Sequence, residues 1–411
     1  MDETVQALVD VVKMNTVNDH EELVAQYLTQ LFKAHGIESK LVTYAPGRVS
    51  LVAEIGDGNG PLIGFDGHED TVALGDASKW TDDALAANIQ DGRLYGRGAT
   101  DMKSGLMAGA FALINLHDQH VPLHGTLRFM ATVGEENGHL GAEQLVKMGY
   151  ADNMQRVIVG EPSGADKRLL GQKQIQAMLG IDGTTAEKMA VANPTGEQHF
   201  IELAHKGSLT FTIHSQGVAA HSSMPQLGKN AIDALMTYYQ KQNEYFKQHE
   251  TAVNPVLGPT VTVVTLIKGG EQINTVPASA EMGVKIRTIP ELRNDRIIAD
   301  LQAIIDECNA NGAQLSMDIS SSFYPVHTPE DTELVQLAKQ VGESVLEQRL
   351  PYFGAPGGTD ASSYIVKNDK MQIIVFGPGN ITAHQVNEYV DLDMYRRFIK
   401  LYEQLITKLL A

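Results

Sequence analysis

Basic side chains are few in this chain. Its 32 Lys and Arg stand against 50 Asp and Glu, which gives a formal net charge of -18. A nucleic acid or an anionic membrane surface binds to a basic face, so the charge predicts neither as a partner. An anionic substrate would also be repelled, so any anion site has to be built locally from cationic side chains and metal.

Long apolar runs and cysteine are also lacking. No stretch approaches the ~18 apolar residues of a membrane-spanning helix. The acidic, amphipathic start MDETVQALVDVVKMN has no basic segment of the kind that opens a signal peptide. The one cysteine, Cys308, excludes an intrachain disulfide and fits a reducing compartment. These absences predict a cytoplasmic protein.

A length of 411 residues exceeds one ordinary core and predicts two domains. In the first half, nearly continuous apolar strands alternate with helices, which is typical of an α/β fold with a mostly parallel sheet covered on both faces. Asn18 or Asp19 is expected to cap an early helix. The helix predicted over Ser104–Leu116 has a face of small residues for close packing, and the β-rich run Val157–Val159 is expected to stop at Gly160.

The pattern changes near His205. From there, strands and helices follow the order βαββαβ of a ferredoxin-like module before the first pattern returns. The sequence therefore predicts one domain over 1–204 and 327–411, with a second domain over 205–326 inserted into it. The segment Leu169–Glu202 fits neither pattern and is not assigned.

Two imidazoles and three carboxylates follow apolar runs or lie in glycine-rich loops, where an α/β sheet presents its chemistry. They are His68, Asp101, Glu136, Glu161 and His384. Such a set is usual for a pair of divalent ions that lie ~3.5–4 Å apart and share a bridging carboxylate. Asp70 lies two residues after His68, where it can hold the other ring N–H of that imidazole and fix its tautomer.

Each of these residues has another interpretation when it is taken alone. Asp101 could cap a helix. The segment GRGATD around it nearly matches the dinucleotide motif G-x-G-x-x-G, although the last position is Asp here. Glu135 and Glu136 could form an exposed acidic turn. Adjacent carboxylates repel each other unless cations compensate them. The functional interpretation therefore places the pair beside metal ions and gives the two residues different roles. Glu136 would bind metal, and Glu135 would move a proton between water and the leaving nitrogen.

Together the motifs resemble those of the zinc metallopeptidase and deacylase family that contains succinyl-diaminopimelate desuccinylase, acetylornithine deacetylase, aminoacylases and several di- and tripeptidases. The motifs are GHEDTV, GRGATDMKSG, GEEN, GEPSG, GGTDAS and AHQVNEYV, and the resemblance extends over nearly the whole chain. It implies an α/β di-metal catalytic domain with an inserted ferredoxin-like lid that mediates dimerisation. It also implies a cis peptide bond between Asp101 and Met102.

The resemblance implies a role for each residue of the metal centre. One zinc ion would be held by His68, Asp101 and Glu161, and the other by Asp101, Glu136 and His384. Asp70 would orient His68, and Glu135 would be the general base and acid. Zinc fits these mixed ligands, and the same groups also accept Co²⁺ or Mn²⁺.

Further residues match positions that contact substrate in the family. His221 would reach the active site of a partner subunit and polarise the scissile carbonyl, since a positioned donor stabilises an oxyanion by ~2.7–4 kcal/mol. The others are Asn274, Arg287, Gly358 and Thr359. A desuccinylase also needs a cation for the distal succinyl carboxylate. The sequence leaves open whether Lys206, Arg287 or another group supplies it.

The resemblance therefore implies a homodimeric, di-zinc amidohydrolase that acts on an N-acyl amino acid. The expected reaction resembles that of succinyl-diaminopimelate desuccinylase, which releases succinate and diaminopimelate in lysine biosynthesis. Acetylornithine deacetylase and metallodipeptidase activities are the alternatives within the family, because the motifs do not choose among acyl groups. The alternative from another class is a non-catalytic homologue that binds a small molecule. Such a homologue is expected to have lost a ligand or the base, and all of them are present here.

Overall fold

The computed structural model describes residues 2–173, 175–176, 181–193 and 195–411. By its internal contacts the chain divides into two compact units. The first unit comprises Met1–Leu203, Thr328–Gly354 and Thr359–Ala411, and the second comprises Ala204–His327 and Ala355–Gly358. The unassigned segment Leu169–Glu202 lies partly outside the described residues, and its described part belongs to the first unit.

The described residues form helices of very different lengths. They are α1 (Glu3–Val12), α2 (Glu22–Ala34), α3 (Ser104–Asp118), α4 (Leu140–Lys147), α5 (Gly183–Ala192), α6 (Ala231–Gln248), α7 (Asn294–Ala310), α8 (Glu333–Leu346), α9 (Ala361–Tyr364) and α10 (Leu392–Leu409). None of these helices combines the length and the apolar character that crossing a membrane requires.

The strands of the first half of the chain are β1 (Ser39–Ala45), β2 (Arg48–Gly56), β3 (Leu62–His68), β4 (Asn88–Gln90), β5 (Arg93–Tyr95), β6 (Thr126–Thr132), β7 (Met154–Asp166), β8 (Glu197–His199) and β9 (Ile201–His205). Those that follow are β10 (Gly207–Gln216), β11 (Val253–Asn254), β12 (Gly258–Pro259), β13 (Val261–Gly269), β14 (Ser279–Thr288), β15 (Leu315–Phe323), β16 (Val326–His327), β17 (Tyr352–Ala355), β18 (Gln372–Asn380) and β19 (Tyr389–Asp391).

In the first unit the main sheet has the order β1-β2-β6-β3-β7-β18-β9, with β9 antiparallel to β18. Its four central strands β6, β3, β7 and β18 are parallel, and β2 and β1 extend the sheet antiparallel at one side. The predicted α/β fold with a mostly parallel central sheet is confirmed. His68, the last residue of β3, pairs with Thr132, the last residue of β6. The carboxyl ends of these two strands therefore lie side by side, and both lead directly into candidate ligands.

The expected end of a strand at Gly160 is wrong. β7 runs on to Asp166, because β18 continues to pair with it beyond that glycine: Gly377 pairs with Pro162, and Asn380 pairs with Gly164. Since Glu161 immediately follows Gly160, it lies inside a paired strand and not in a loop.

The small-residue face of α3 allows this helix to lie directly against the sheet. A Cβ on Gly105 would lie 1.8 Å from the carbonyl oxygen of Gly160, and a Cβ on Gly109 would lie 2.0 Å from Cε1 of Phe65. Both distances are far below van der Waals contact, so a larger residue at Gly105 requires the helix to shift, and one at Gly109 requires the helix or the Phe65 ring to shift. This approach sets the start of α3 beside the part of β7 that carries Glu161.

The helix cap expected from Asn18 or Asp19 is also wrong. α2 begins at Glu22 without a side-chain cap. The carboxylate of Asp19 accepts the N–H of the next residue, His20, at 2.8 Å. Asn18 has a left-handed backbone with φ of 54°. The chain turns at these residues before the helix starts, and the Asp19 carboxylate is bonded to the backbone of that turn and not to the helix.

The second unit contains a four-stranded antiparallel sheet with the order β13-β14-β10-β15. The order along the chain is β10, α6, β13, β14, α7 and β15, which is the βαββαβ order expected from the sequence. Its core is built from alternating strand residues such as Phe211 and Ile213 and from the inner faces of α6 and α7. Cys308 on α7 belongs to this core and is only 5% exposed.

Candidate metal centre

The carboxylate of Asp101 lies between two imidazoles. Its Oδ1 is 3.1 Å from Nε2 of His68, and its Oδ2 is 3.1 Å from Nε2 of His384. On the first side, Oε1 of Glu161 is 3.4 Å from the same nitrogen of His68. On the second side, Oε1 of Glu136 is 3.1 Å from the same nitrogen of His384. The result is two groups of three donors that share one carboxylate. Within each group the donor atoms lie within 4.8 Å of one another.

Local structure turns the His68 ring toward this centre. Its Nδ1 is 3.0 Å from the carbonyl oxygen of Asp70 and 3.5 Å from Oδ1 of the same residue. The backbone N–H of His68 points at the sulfur of Met102, at 3.2 Å. With Nδ1 occupied on the protein side, Nε2 faces Asp101, as a neutral imidazole ligand requires.

Asp101 is placed by a short irregular turn over Ala99–Lys103, in which its own backbone is extended (φ -122°, ψ 99°) and its peptide bond to Met102 is cis. The alternative that Asp101 caps α3 does not hold, because this helix begins only at Ser104 and the carboxylate faces the two imidazoles. The dinucleotide alternative also fails. The strand before GRGATD, β5, pairs antiparallel with β4 and β19 and is not part of a βαβ unit.

Asp70 has a second set of contacts that the sequence did not suggest. Its two carboxylate oxygens accept the backbone N–H groups of Glu135 and Glu136, at 3.1 and 3.2 Å. One carboxylate thus contacts the ring of His68 and also holds the turn that carries the acidic doublet. The doublet is not an exposed acidic turn, because both side chains point toward the centre: their carboxylates form a further potential ligand group with His68.

The carboxylate of Glu135 lies beside the centre, in a third potential ligand group with His68 and Glu136. Burial raises its pKa well above the usual value, and the charge of Glu161 adds to this shift. Its Oε1 lies 3.5 Å from Nε2 of His139, four positions further along the chain. A raised pKa favours the protonated form of a carboxyl group.

The centre has more negative charge than its own cations compensate. Burial raises the pKa of Glu161 to about 8, and the charge of Asp101 adds to this. Hydrogen bonds to Asp101 and Glu136 raise the pKa of His384 to about 10. Buried carboxylates gathered in this way are stabilised by divalent cations. Imidazole nitrogens and carboxylate oxygens are the donors that zinc takes at catalytic sites, so the residues fit such ions.

Several buried polar residues that had no assigned role from the sequence surround the centre. They are Arg97, Glu388, Asp66, Tyr364 and Asp360. The hydroxyl of Tyr364 donates to Asp66 at 2.6 Å, and that of Thr132 donates to Asp360 at 2.7 Å. Two of them had a signal in the sequence, because Glu388 follows His384 by four positions and Arg97 precedes Asp101 by four. Their contacts with backbone groups could not be read from the sequence.

The predicted substrate residues are divided between the two units. His221, Asn274, Arg287 and Gly358 belong to the second unit, and Thr359 belongs to the first. Within the second unit, the carbonyl oxygen of Asn274 accepts the N–H of Ser222, the neighbour of His221, at 2.9 Å. These two loops are therefore adjacent.

Two cations of the second unit also lie close together. Burial lowers the pKa of Lys206, and the positive charge of Arg287 lowers it further. The metal-centre residues, by contrast, all belong to the first unit.

Comparison with known proteins identifies the family of this chain. The family model described as peptidase family M20/M25/M40 matches residues 64–408. The chain belongs to this family. It is a metal-dependent hydrolase, as the sequence predicted. A probable succinyl-diaminopimelate desuccinylase from Staphylococcus aureus is 34% identical over 428 residues, which cover 98% of this chain and 96% of that relative. A succinyl-diaminopimelate desuccinylase from Wolbachia pipientis is 25% identical over 405 residues, with 96% and 90% covered.

Solved structures of this hydrolase family share the fold over nearly the whole length. An M20 family metallo-carboxypeptidase from Sulfolobus solfataricus has a TM-score of 0.70 at 19% identity, with 99% of both chains covered. A dinuclear metal-binding peptidase of the M20 family from Bacillus subtilis has a TM-score of 0.66 at 15% identity, with 99% of this chain and 97% of that chain covered.

Proposed function

We propose that this hydrolase uses two divalent ions, zinc in the first instance, to cleave the amide bond of N-succinyl-diaminopimelate. The observation that carries the proposal is the shared carboxylate of Asp101, with a complete donor group on each side of it. The choice of substrate is supported by the relatives at 34–35% identity that bear the name of a probable succinyl-diaminopimelate desuccinylase. A cytoplasmic location and a role in lysine biosynthesis are part of the same proposal.

Bound divalent ions would lower the pKa of a water molecule and polarise the scissile carbonyl. The chain's own residues carry out the proton transfers and stabilise the oxyanion. Glu135 takes a proton from the attacking water and passes it to the nitrogen of the departing amine, so that the same carboxylate acts first as base and then as acid. Asp70 holds the backbone of Glu135 and the ring of His68, so it fixes the base relative to a ligand.

The oxyanion that forms during attack needs a donor, and we assign this role to His221. The ring Nδ1 of His221 accepts the backbone N–H of Ser223 at 3.2 Å. A neutral ring with Nδ1 as acceptor carries its proton on Nε2. The exposed His221 therefore presents an N–H donor, which is what an oxyanion requires.

Substitution of His221 by Ala should lower kcat by roughly 10²–10³-fold, because one oxyanion donor is lost. Metal content should stay unchanged, since His221 is not among the proposed ligands. Turnover and elemental analysis of the same preparation test both points. His214→Ala, which removes another histidine of the second unit, serves as the control and should stay near the wild-type rate. A normal rate for His221→Ala would remove this residue from the mechanism.

The proposed substrate is a poly-anion at neutral pH, and cations of the second unit suit it. Arg287 offers a guanidinium that can bind a carboxylate through two parallel hydrogen bonds. Lys206 lies close enough for the two charges to influence each other. We propose that Arg287 and Asn274 contact the substrate, and that Gly358 and Thr359 donate to one of its carboxylates.

We also propose that the protein is a homodimer that joins through the edge of the second unit's sheet. β13 is the terminal strand of this sheet. It exposes Val261, Val263, Leu266 and Ile267, with 41–58% of each side chain accessible. An open strand edge with exposed apolar side chains favours pairing with another chain.

A substrate panel tests the proposed function. Zinc-loaded protein is assayed for release of free amine from N-succinyl-diaminopimelate, N-acetylornithine, other N-acyl amino acids and several dipeptides. We expect kcat/KM for N-succinyl-diaminopimelate to exceed that of every other compound. A preference for N-acetylornithine or for a dipeptide would assign the chain to another activity of the same family. No turnover of any compound by protein that holds two ions would overturn the proposal.

A further inference from the structure

Arg97 and Glu388 form a buried ion pair beside the metal centre. Arg97 is 2% exposed and Glu388 is fully buried. Nη1 of Arg97 donates to Oε2 of Glu388. Both residues lie in segments that carry proposed ligands, four positions before Asp101 and four positions after His384, but neither can itself be a ligand in the two donor groups.

The second oxygen of Glu388 reaches the backbone of the bridging residue. Oε1 accepts the N–H of Asp101 at 3.0 Å and the N–H of Thr100 at 2.9 Å. These two amides lie directly before the cis peptide bond to Met102. The hydroxyl of Thr100 donates in turn to the carbonyl oxygen of Tyr389, the residue after Glu388, at 2.6 Å. The His384 segment and the Asp101 turn are thus joined by three hydrogen bonds.

The guanidinium extends this connection to the loop that follows His68. Nε of Arg97 donates to the carbonyl oxygen of Ala73 at 3.2 Å, and Nη2 lies 3.5 Å from the carbonyl oxygen of His384. The plane of the guanidinium also lies near the ring of Trp80, at 5.5 Å from its centroid. One side chain therefore contacts two of the three chain segments that bring imidazole or bridging carboxylate to the centre.

From these contacts we propose that Arg97 and Glu388 are positioning residues for the two-ion centre. The pair holds the bridging carboxylate of Asp101 and the imidazole of His384 in mutual register, and it ties both to the segment after His68. This inference rests on the proposed two-ion centre. It adds a specific claim, that the pair controls how tightly the ions are held and does not merely stabilise the fold.

The two roles make different predictions. A buried ion pair is often close to neutral for stability when it is replaced as a whole, while removal of one partner is costly because a charge is left buried. A purely structural pair would therefore affect unfolding and leave metal affinity alone. Substitution of a residue that orients metal ligands typically lowers metal affinity by ~10–100-fold.

The test uses Glu388→Gln in the full-length protein. Gln keeps an oxygen that can accept the N–H groups of Asp101 and Thr100, but it removes the charge that pairs with Arg97. Zn²⁺ affinity of the metal-free protein is measured by competition with a chromogenic chelator, and the midpoint of thermal unfolding is measured on the same sample. We expect a rise of about 10–100-fold in the dissociation constant of at least one ion, together with a KM for substrate close to that of wild type when zinc is saturating.

Glu21→Gln is the matched control. Glu21 is fully buried, and its carboxylate accepts hydrogen bonds from Nε and Nη2 of Arg48. The substitution therefore also breaks a buried Arg–Glu pair. Among the described residues, its side-chain hydrogen bonds reach none of the proposed ligands. It should lower the unfolding midpoint while Zn²⁺ affinity stays within about twofold of wild type. If the Glu388 variant does not fold, Arg97→Lys replaces it, because Lys keeps the charge but loses the contacts to Ala73 and His384.

Wild-type affinity for both ions in Glu388→Gln, or in Arg97→Lys where that variant is needed, would overturn the proposal. Equal weakening of zinc binding in Glu21→Gln would also overturn it, since loss of general stability would then explain the effect. Failure of the wild-type protein to bind two ions would be a different result. It would refute the two-ion centre itself and, with it, the proposed function.

Discussion

Replacement of Glu135 by Gln is expected to lower kcat by about 10²–10⁴-fold while both metal ions stay bound. The amide of Gln has nearly the shape of the carboxyl group but neither accepts nor returns the proton that the reaction must move. The backbone of residue 135 stays anchored by Asp70, because that contact uses the main-chain N–H. Rates of amine release and zinc content, measured on the same protein, test the prediction.

The neighbouring residue provides the control for this experiment. Glu136→Gln changes the same functional group one position further along the turn, and its backbone is held by the same Asp70 carboxylate. Its side chain, however, lies 3.1 Å from Nε2 of His384 in the second donor group. We therefore expect this variant to lose zinc affinity, whereas Glu135→Gln does not. Substantial turnover by Glu135→Gln, or loss of metal from it, would contradict the assignment of the base.

Asp101→Asn is expected to release metal from both positions and to abolish measurable turnover. A neutral amide has only one oxygen, so it cannot contact both imidazole-bearing groups as the two carboxylate oxygens do. The loss of zinc affinity should exceed the ~10–100-fold loss that follows substitution of a residue that only orients the ligands. The fold should persist, because the N–H of residue 101 and its neighbour Thr100 keep their bonds to Glu388.

Zinc content after dialysis and the far-ultraviolet circular dichroism of Asp101→Asn test these two expectations. Asp66→Asn is the matched control, because Asp66 is also buried in the first unit and its oxygen accepts the hydroxyl of Tyr364 at 2.6 Å. It should keep its zinc. If Asp101→Asn held two ions as tightly as wild type, the shared carboxylate would not be the bridge.

The proposed ligands could be found from the sequence because of where they lie along parallel strands. His68 ends β3, and the acidic doublet follows the end of the neighbouring β6. Parallel strands carry their carboxyl ends to the same edge, so residues distant in sequence but similar in strand position meet there. The family motifs then supplied the remaining members, including Glu161, although its strand does not stop where expected.

The residues that the sequence did not reveal act through backbone groups. The two hydrogen bonds from the backbone of Asp101 and Thr100 to Glu388 depend on how the irregular turn over Ala99–Lys103 presents its N–H groups, and no side-chain pattern encodes that. The same holds for Asp70, whose position after His68 suggested only the contact with the ring. The missing cap of α2 has the same cause, because the carboxylate of Asp19 found a nearer backbone partner.

The placement of Cys308 allows local opening of the second unit to be measured separately by thiol labelling. This residue carries the only thiol of the chain, and it lies on the inner face of α7 in the core of the second unit. A thiol reagent can reach it only when that helix separates from the sheet beneath it. The labelling rate therefore reports the local opening equilibrium of the second unit, without a background from the first.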